Sequence, residues 1–253
     1  MQIYKQEDIQ KINSEFNTLK RRYIGLVFKL FDLSGKLKEE KAKEYFHHGI
    51  MRRLEVIERC IGNIFLIFPV ERENLLSHDE LIDVEINLHA FFVNVFGFLD
   101  NLAWVLIYEK RLAVTIDKRK VGLFKKETKE IFPAKFCEYL DSGRMKTWYD
   151  QYLINYRDAL SHRIPLYVPP QTLNPEQKKK FEQIENKIAD CIRSRDFGSL
   201  DKLRNEQNTI GSVCPFFIHA LSENKYVALH AQLIADFNTI EEIVEKYCET
   251  FLE

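Results

Sequence analysis

The chain has 253 residues, 45% hydrophobic and 30% charged, with a formal net charge of −1 at pH 7. That length and balance suffice for one sizeable core and exclude global disorder. The near-zero charge leaves no overall field to draw in nucleic acid or anionic lipid.

Five cysteines, Cys60, Cys137, Cys191, Cys214 and Cys248, are scattered and form no Cys-x-x-Cys pair. They point to reduced thiols, not to a disulfide framework or a zinc site. Met1 to Asp8 carry no apolar stretch of signal-peptide type. The longest apolar run, Ile86 to Tyr108, is interrupted by His89, Asn94, Asp100 and Asn101. A buried helix is expected there, with no membrane span and a cytoplasmic location.

In chain order, Ile9, Ile12, Phe16, Leu19, Tyr23, Val27 and Leu30 recur at steps of three or four and predict an amphipathic helix over Asp8 to Phe31. A second helix is expected from about Glu39 to Phe68, stopped by Pro69. Ser77 with Glu80 has the form of a capping box before a third helix, about Asp79 to Glu109. This one is apolar nearly all round. Asn87, Asn94 and Asn101 recur on it every seven residues, on a face shared with Gly97 and Trp104.

Residues 110–146 carry eleven Lys and Arg against five Asp and Glu. The segment reads as a connection plus a short helix around Lys129 to Leu140. Its basic excess is either an RNA-binding face or solvated surface. A helix from about Lys146 follows, with Tyr149, Tyr152, Leu153, Tyr156 and Leu160 as its apolar stripe. Pro165 ends it. Residues 171–212 are strongly polar and read as an inserted helical segment within one domain spanning 1–253. The run Ser212 to Leu221 reads either as a strand paired with Ile164 to Val168 in a small two-stranded element or as buried helix, and a last helix is expected from about Lys225 to Phe251. The fold class that results is all-α, a bundle of long antiparallel helices with a polar helical insertion.

The chemistry-bearing stretch is Tyr156-Arg157-Asp158-Ala159-Leu160-Ser161-His162-Arg163. Cleaving RNA without a metal requires a group of near-neutral pKa to move protons and a fixed cation to hold charge on the phosphate. Imidazole and guanidinium suit these tasks, and His162 and Arg157 supply one of each. Asp158 precedes His162 by four residues, so on a continuous helix the carboxylate can orient the imidazole. Ser161 and Arg163 are candidate phosphate contacts. Asn94 and Asn101 either reach toward the site or make interhelical hydrogen bonds that fix register. Arg157 and His162 lie about 140° apart on an ideal helix, so either the helix ends at about Ser161 or a second subunit completes the site.

Arg157-Asp158-x-x-x-His162, closing a helix in an all-helical chain, resembles the HEPN superfamily (higher eukaryotes and prokaryotes nucleotide-binding). The resemblance is specific at those three residues and architectural elsewhere. It implies a helical bundle that dimerises with two motifs facing one cleft. It further implies metal-independent endoribonuclease activity in many members, often in toxin–antitoxin or defence systems, with no cofactor. Partners expected on this basis are a second copy of the chain, RNA, and an antitoxin or other protein. The other reading of Arg157 and His162 is structural: a helix-end His complementing the dipole and an Arg paired with a carboxylate. The chain would then be a catalytically silent module binding a protein or nucleotide.

Overall fold

The computed structural model describes residues 4–218 and 226–251. Almost all of their regular structure is helical, as apolar spacing of three and four requires. Helix α1 (Gln6–Ser34) buries Ile9, Ile12, Leu19, Leu26, Leu30 and Leu33. The next helix is continuous but not uniform. Helix α2 (Glu40–Tyr45) widens into a π-helical turn (Phe46–Met51) and narrows into α3 (Arg52–Ile67).

Helix α4 (His78–Glu109) opens with the expected capping box: Ser77 accepts from the Glu80 N–H, and the Glu80 carboxylate from the Ser77 N–H. Arg72 grips the same Glu80 through two hydrogen bonds of 2.8 Å and also donates to the carbonyls of Ile67, Asn74 and Leu75. These bonds, Arg72 first, hold the Glu80 carboxyl down at about 2. By length and composition alone α4 is apolar enough to cross a membrane. In the fold α2, α3 and α8 (Ile154–His162) pack along it.

Three residue pairs set the direction of packing. Tyr45 packs its ring against that of Tyr108, Arg53 bonds Asn101 and Asn94, and Asn63 bonds Asn87. Position rises on one helix as it falls on the other, so the α2–α3 helix and α4 run antiparallel. Helix α1 is antiparallel to α3 by the same test, with Phe16 stacked on Phe65 and Lys20 paired to Glu58. The bundle is not antiparallel throughout. Arg22 meets Glu241 and Lys29 meets Glu245, so α1 and α11 (Leu229–Glu249) run the same way.

The basic stretch 110–146 folds into short pieces: a 3-10 turn (Lys118–Lys120), α5 (Lys126–Lys129), α6 (Ala134–Leu140) and α7 (Gly143–Lys146). Residues 171–212 form the expected helical insertion, α9 (Pro175–Ser194) and α10 (Phe197–Gln207). These two pack on each other around Ile184, Ile188, Leu200 and Ile210. Their base is closed by reciprocal backbone bonds between Thr172 and Ser212, at 2.8 and 3.0 Å.

The expected strand pairing needs correction. Strand β1 (Phe216–Ile218) pairs antiparallel with β2 (Tyr226–Ala228), and the Ile164–Val168 segment adds a single bridge, Tyr167 to Ile218. Pro165, Pro169 and Pro170 deprive that segment of the N–H donors a ladder needs. His219, Ala220 and Leu221, at the end of the predicted run, and Lys225, at the start of the predicted last helix, lie outside the described residues.

Two titratable groups are locked into the core. His230 is enclosed by the rings of Tyr4, Phe65 and Phe68, and its Nε2–H donates to the Phe68 carbonyl at 2.6 Å. Burial pushes its ring down to about 4. Asp236 accepts at Oδ1 from Trp148 Nε1 at 2.7 Å and Gln232 Nε2 at 2.8 Å, while Oδ2 has no hydrogen-bond partner among the described residues. Burial lifts this carboxyl to about 7, against the pull of both donors.

Candidate functional site along helix α4

The motif helix is assembled in three parts. Helix α7 is capped by Ser142, a second π-helical turn (Thr147–Leu153) comes next, and α8 carries the motif. Tyr156 orients α8 by packing its ring 4.6 Å from that of Phe92 on α4. The chain beyond Pro165 is pinned to the same helix. His89 Nε2–H donates to the Leu166 carbonyl at 2.6 Å, and the Val168 N–H donates to Glu85 Oε1 at 2.9 Å.

This arrangement lays Arg157 over the Phe96 ring, its Cζ 4.6 Å from the ring centroid. Nη1 lies 3.0 Å from Asp158 Oδ1. Nε is buried and finds no acceptor among the described residues. The negative face of the Phe96 ring supplies a favourable contact in place of one. Helix α8 stays regular through His162, and only Arg163 turns extended, with φ −130° and ψ −159°. Arg157 and His162 therefore point in directions about 140° apart within one chain. Asp158 engages Arg157, its sequence neighbour, and makes no ion pair with His162. The side chains of Ser161, His162 and Arg163 are exposed and unbonded among the described residues.

Asn94 and Asn101 turn toward α3. Arg53 donates through Nε to Asn101 Oδ1 at 2.9 Å and through Nη1 to Asn94 Oδ1 at 3.1 Å. The Asn94 amide is completed by its own donation to the Ala90 carbonyl at 2.7 Å. The guanidinium lies across Gly97, where a Cβ would come within 2.4 Å of Arg53 Cζ. One turn on, Gly49 of the first π turn meets the Asn101 side chain, which a Cβ there would approach to 2.7 Å. At either glycine an added Cβ would push the facing side chain from its place.

Asp100, also on α4, is within electrostatic reach of both arginines. Burial raises its carboxyl to about 6, and Arg157, Arg53 and Lys125 pull the other way. Two guanidiniums packed along α4 suit the charge of a phosphodiester.

No protein-family model, curated protein or solved structure matches this chain. What can be said of the site therefore rests on its own geometry. In the basic segment, Arg111, Lys120, Lys129, Lys135, Arg144 and Lys146 are ion-paired to Glu39, Glu127, Asp141, Glu249, Glu242 and Asp141. Lys110, Lys118, Arg119, Lys125 and Lys126 remain exposed without ion pairs among the described residues. The sequence reading missed Arg53, Phe96 and Asp100. A signal for the first was present: a glycine at the middle of a long helix costs about 1 kcal/mol relative to alanine, so Gly97 between two asparagines marks something lying across it.

Proposed function

We propose that the chain is a metal-independent endoribonuclease of HEPN type that works as a homodimer. His162 is the acid/base, Arg157 the cation that holds charge on the phosphate, and Asp158 the residue that steadies Arg157. In the reaction, imidazole takes the proton of the 2′-hydroxyl, whose oxygen attacks the adjacent phosphorus. The imidazolium gives that proton to the 5′-oxygen as its bond to phosphorus breaks, leaving a 2′,3′-cyclic phosphate and a 5′-hydroxyl end.

The observation that carries this reading is the placement of Arg157. Its side chain is 37% exposed, held on Phe96 near Asp100, in the same helix whose last residue presents an exposed imidazole. The divergence of the two side chains on a regular helix is the reason for a two-fold site, with Arg157 of one chain facing His162 of the other. Val93, Tyr152 and Ile164 stay exposed on α4, the second π turn and the chain past α8, as an apolar contact between copies requires. A toxin or defence role with a neutralising protein partner is the setting the resemblance suggests.

The test is RNA incubated in EDTA with wild type, Arg157→Ala, His162→Ala and a mixture of the two variants. Wild type should leave cyclic phosphate ends and each variant none. The mixture should recover roughly a quarter of the wild-type rate, because random pairing restores one of two sites in half of the dimers. Cleavage that survives both substitutions ends the proposal. The silent binding module is favoured by one observation, the Arg157–Asp158 pair that already neutralises the motif cation. Absence of cleavage by wild type in any buffer supports it.

A further inference from the structure

The trough lined by Arg53 is separate in construction from the Arg157–His162 motif. It is an open space of about 490 Å3 between the first π turn, α3 and α4, with Tyr45, His48, Arg52, Arg53 and Asn101 among its walls. Its floor is built around one guanidinium. Two amide oxygens hold Arg53 in place, and the missing Cβ atoms of Gly97 and Gly49 leave room for Arg53 and Asn101 respectively. Amide oxygens are neutral, so they hold the group without cancelling its charge.

Of the charged residues that line the trough, Lys41, Arg52 and Arg53 are cationic and Glu44 is acidic. Among the described residues Arg53, Arg52 and His48 have no ion pair, although the chain carries 38 acidic residues. Glu44, the acid in the lining, is taken by Lys41 at 2.7 Å. A polar seam that only fixed helix register would not need a cation, since Asn63 and Asn87 already form such a bond between the same helices at 2.9 Å. Nor would it need to leave the unused N–H groups of a guanidinium at an open trough. An exposed arginine normally keeps its rotamer freedom. Restraining this one costs side-chain entropy, and two helical glycines add to the cost.

We propose that this trough binds the phosphate of a nucleotide, free or within an RNA strand, between Arg53 and Arg52 with His48 at its edge. The planar fork of a preorganised guanidinium matches phosphate oxygens, and a second arginine beside it suits a group of more than one negative charge. Tyr45, backed by Trp104 and Tyr108 at 5.9 and 4.8 Å between ring centroids, gives the trough an aromatic wall against which a base can lie. The inference does not depend on cleavage at His162.

Two probes distinguish the sources: AMP, and a fluorescein-labelled 2′-O-methyl RNA 12-mer that cannot be cut through its 2′ position. Binding is read by anisotropy at low salt, with AMP titrated as competitor and separately by calorimetry. Wild type should bind at least one. Arg53→Gln and Gly97→Ala should each weaken it about tenfold or more, and Arg52→Gln severalfold. Gly97→Ala keeps every charge and favours helix, but its Cβ drives Arg53 from its berth. Arg52 is exposed, so its loss leaves the fold alone, and melting curves identify any variant that has unfolded. Lys179→Gln on α9 controls for bulk charge and keeps wild-type affinity. AMP competing with the 12-mer assigns the trough to mononucleotides, and RNA binding alone assigns it to a strand. Failure of wild type to bind either probe overturns the proposal. So does unchanged affinity in folded Gly97→Ala and Arg52→Gln.

Discussion

Asp236→Asn is the most direct test of how the core handles charge. The carboxyl titrates at 3.8 when unperturbed and at about 7 in the bundle, where it is fully buried and Oδ2 has no partner among the described residues. Between those values the native state keeps a proton that the unfolded chain has released, so this group's contribution falls as pH rises. At about 1.36 kcal/mol per pH unit, the contribution is fully present below pH 3.8 and about 4 kcal/mol smaller above pH 7. Asparagine preserves the oxygen that accepts from Trp148 and Gln232 and does not titrate. The difference in unfolding free energy, variant minus wild type, should therefore rise by about 2.6 kcal/mol between pH 5 and pH 8. Urea unfolding followed by circular dichroism at four pH values gives that difference directly, with other titrating groups cancelling. A difference constant to about 0.5 kcal/mol over the range refutes the argument, because the carboxyl would then carry the same charge in both states.

His230 should act in the opposite sense. Its folded value of about 4 lies below the ordinary 6.5, so stability is lost as pH falls through that window. His230→Gln, which retains a donor for the Phe68 carbonyl, should remove about 3 kcal/mol of that acid sensitivity between pH 7 and pH 4, measured by the same urea unfolding. Asn101→Ala leaves Arg53 Nε without its acceptor and should cost about 1–3 kcal/mol in unfolding free energy. Replacement of residues 173–211 by two glycines should leave a cooperative thermal transition in the remaining bundle, since Thr172 and Ser212 already touch and α9 packs chiefly on α10. Loss of that transition on calorimetry would show that the insertion supports the fold.

The long elements were legible because their stabilisation is periodic. Ile9 to Leu30, Ser77 with Glu80, and the α9–α10 insertion each announce themselves within a single window of sequence. The features that escaped depend on residues far apart or on one extra residue. Arg53 and Asn101 are 48 positions apart, and nothing local selects that partner for either. Asp100 is one more polar residue in an apolar run until burial raises its pKa to about 6 against the pull of Arg157, Arg53 and Lys125. The strand β1 is three residues long, too short for its pattern to name β2 over the proline-rich segment beside it. Arg157, Asp158 and His162 were legible as a motif, but the sequence alone did not show that Asp158 would turn to its neighbour.

The π-helical turn at Thr147–Leu153 has a mechanical consequence for the motif beyond it. Such a turn contains one residue more than the α-helical path would need, and each residue rotates the downstream helix by about 100°. It therefore works as a slack loop in the helix, taking up one residue without turning the segment beyond it. Removing one residue inside it would restore a plain α-helix over the same path and leave Arg157 on its aromatic rest. The same deletion made within α8, where no residue is spare, would swing every later side chain by about 100°.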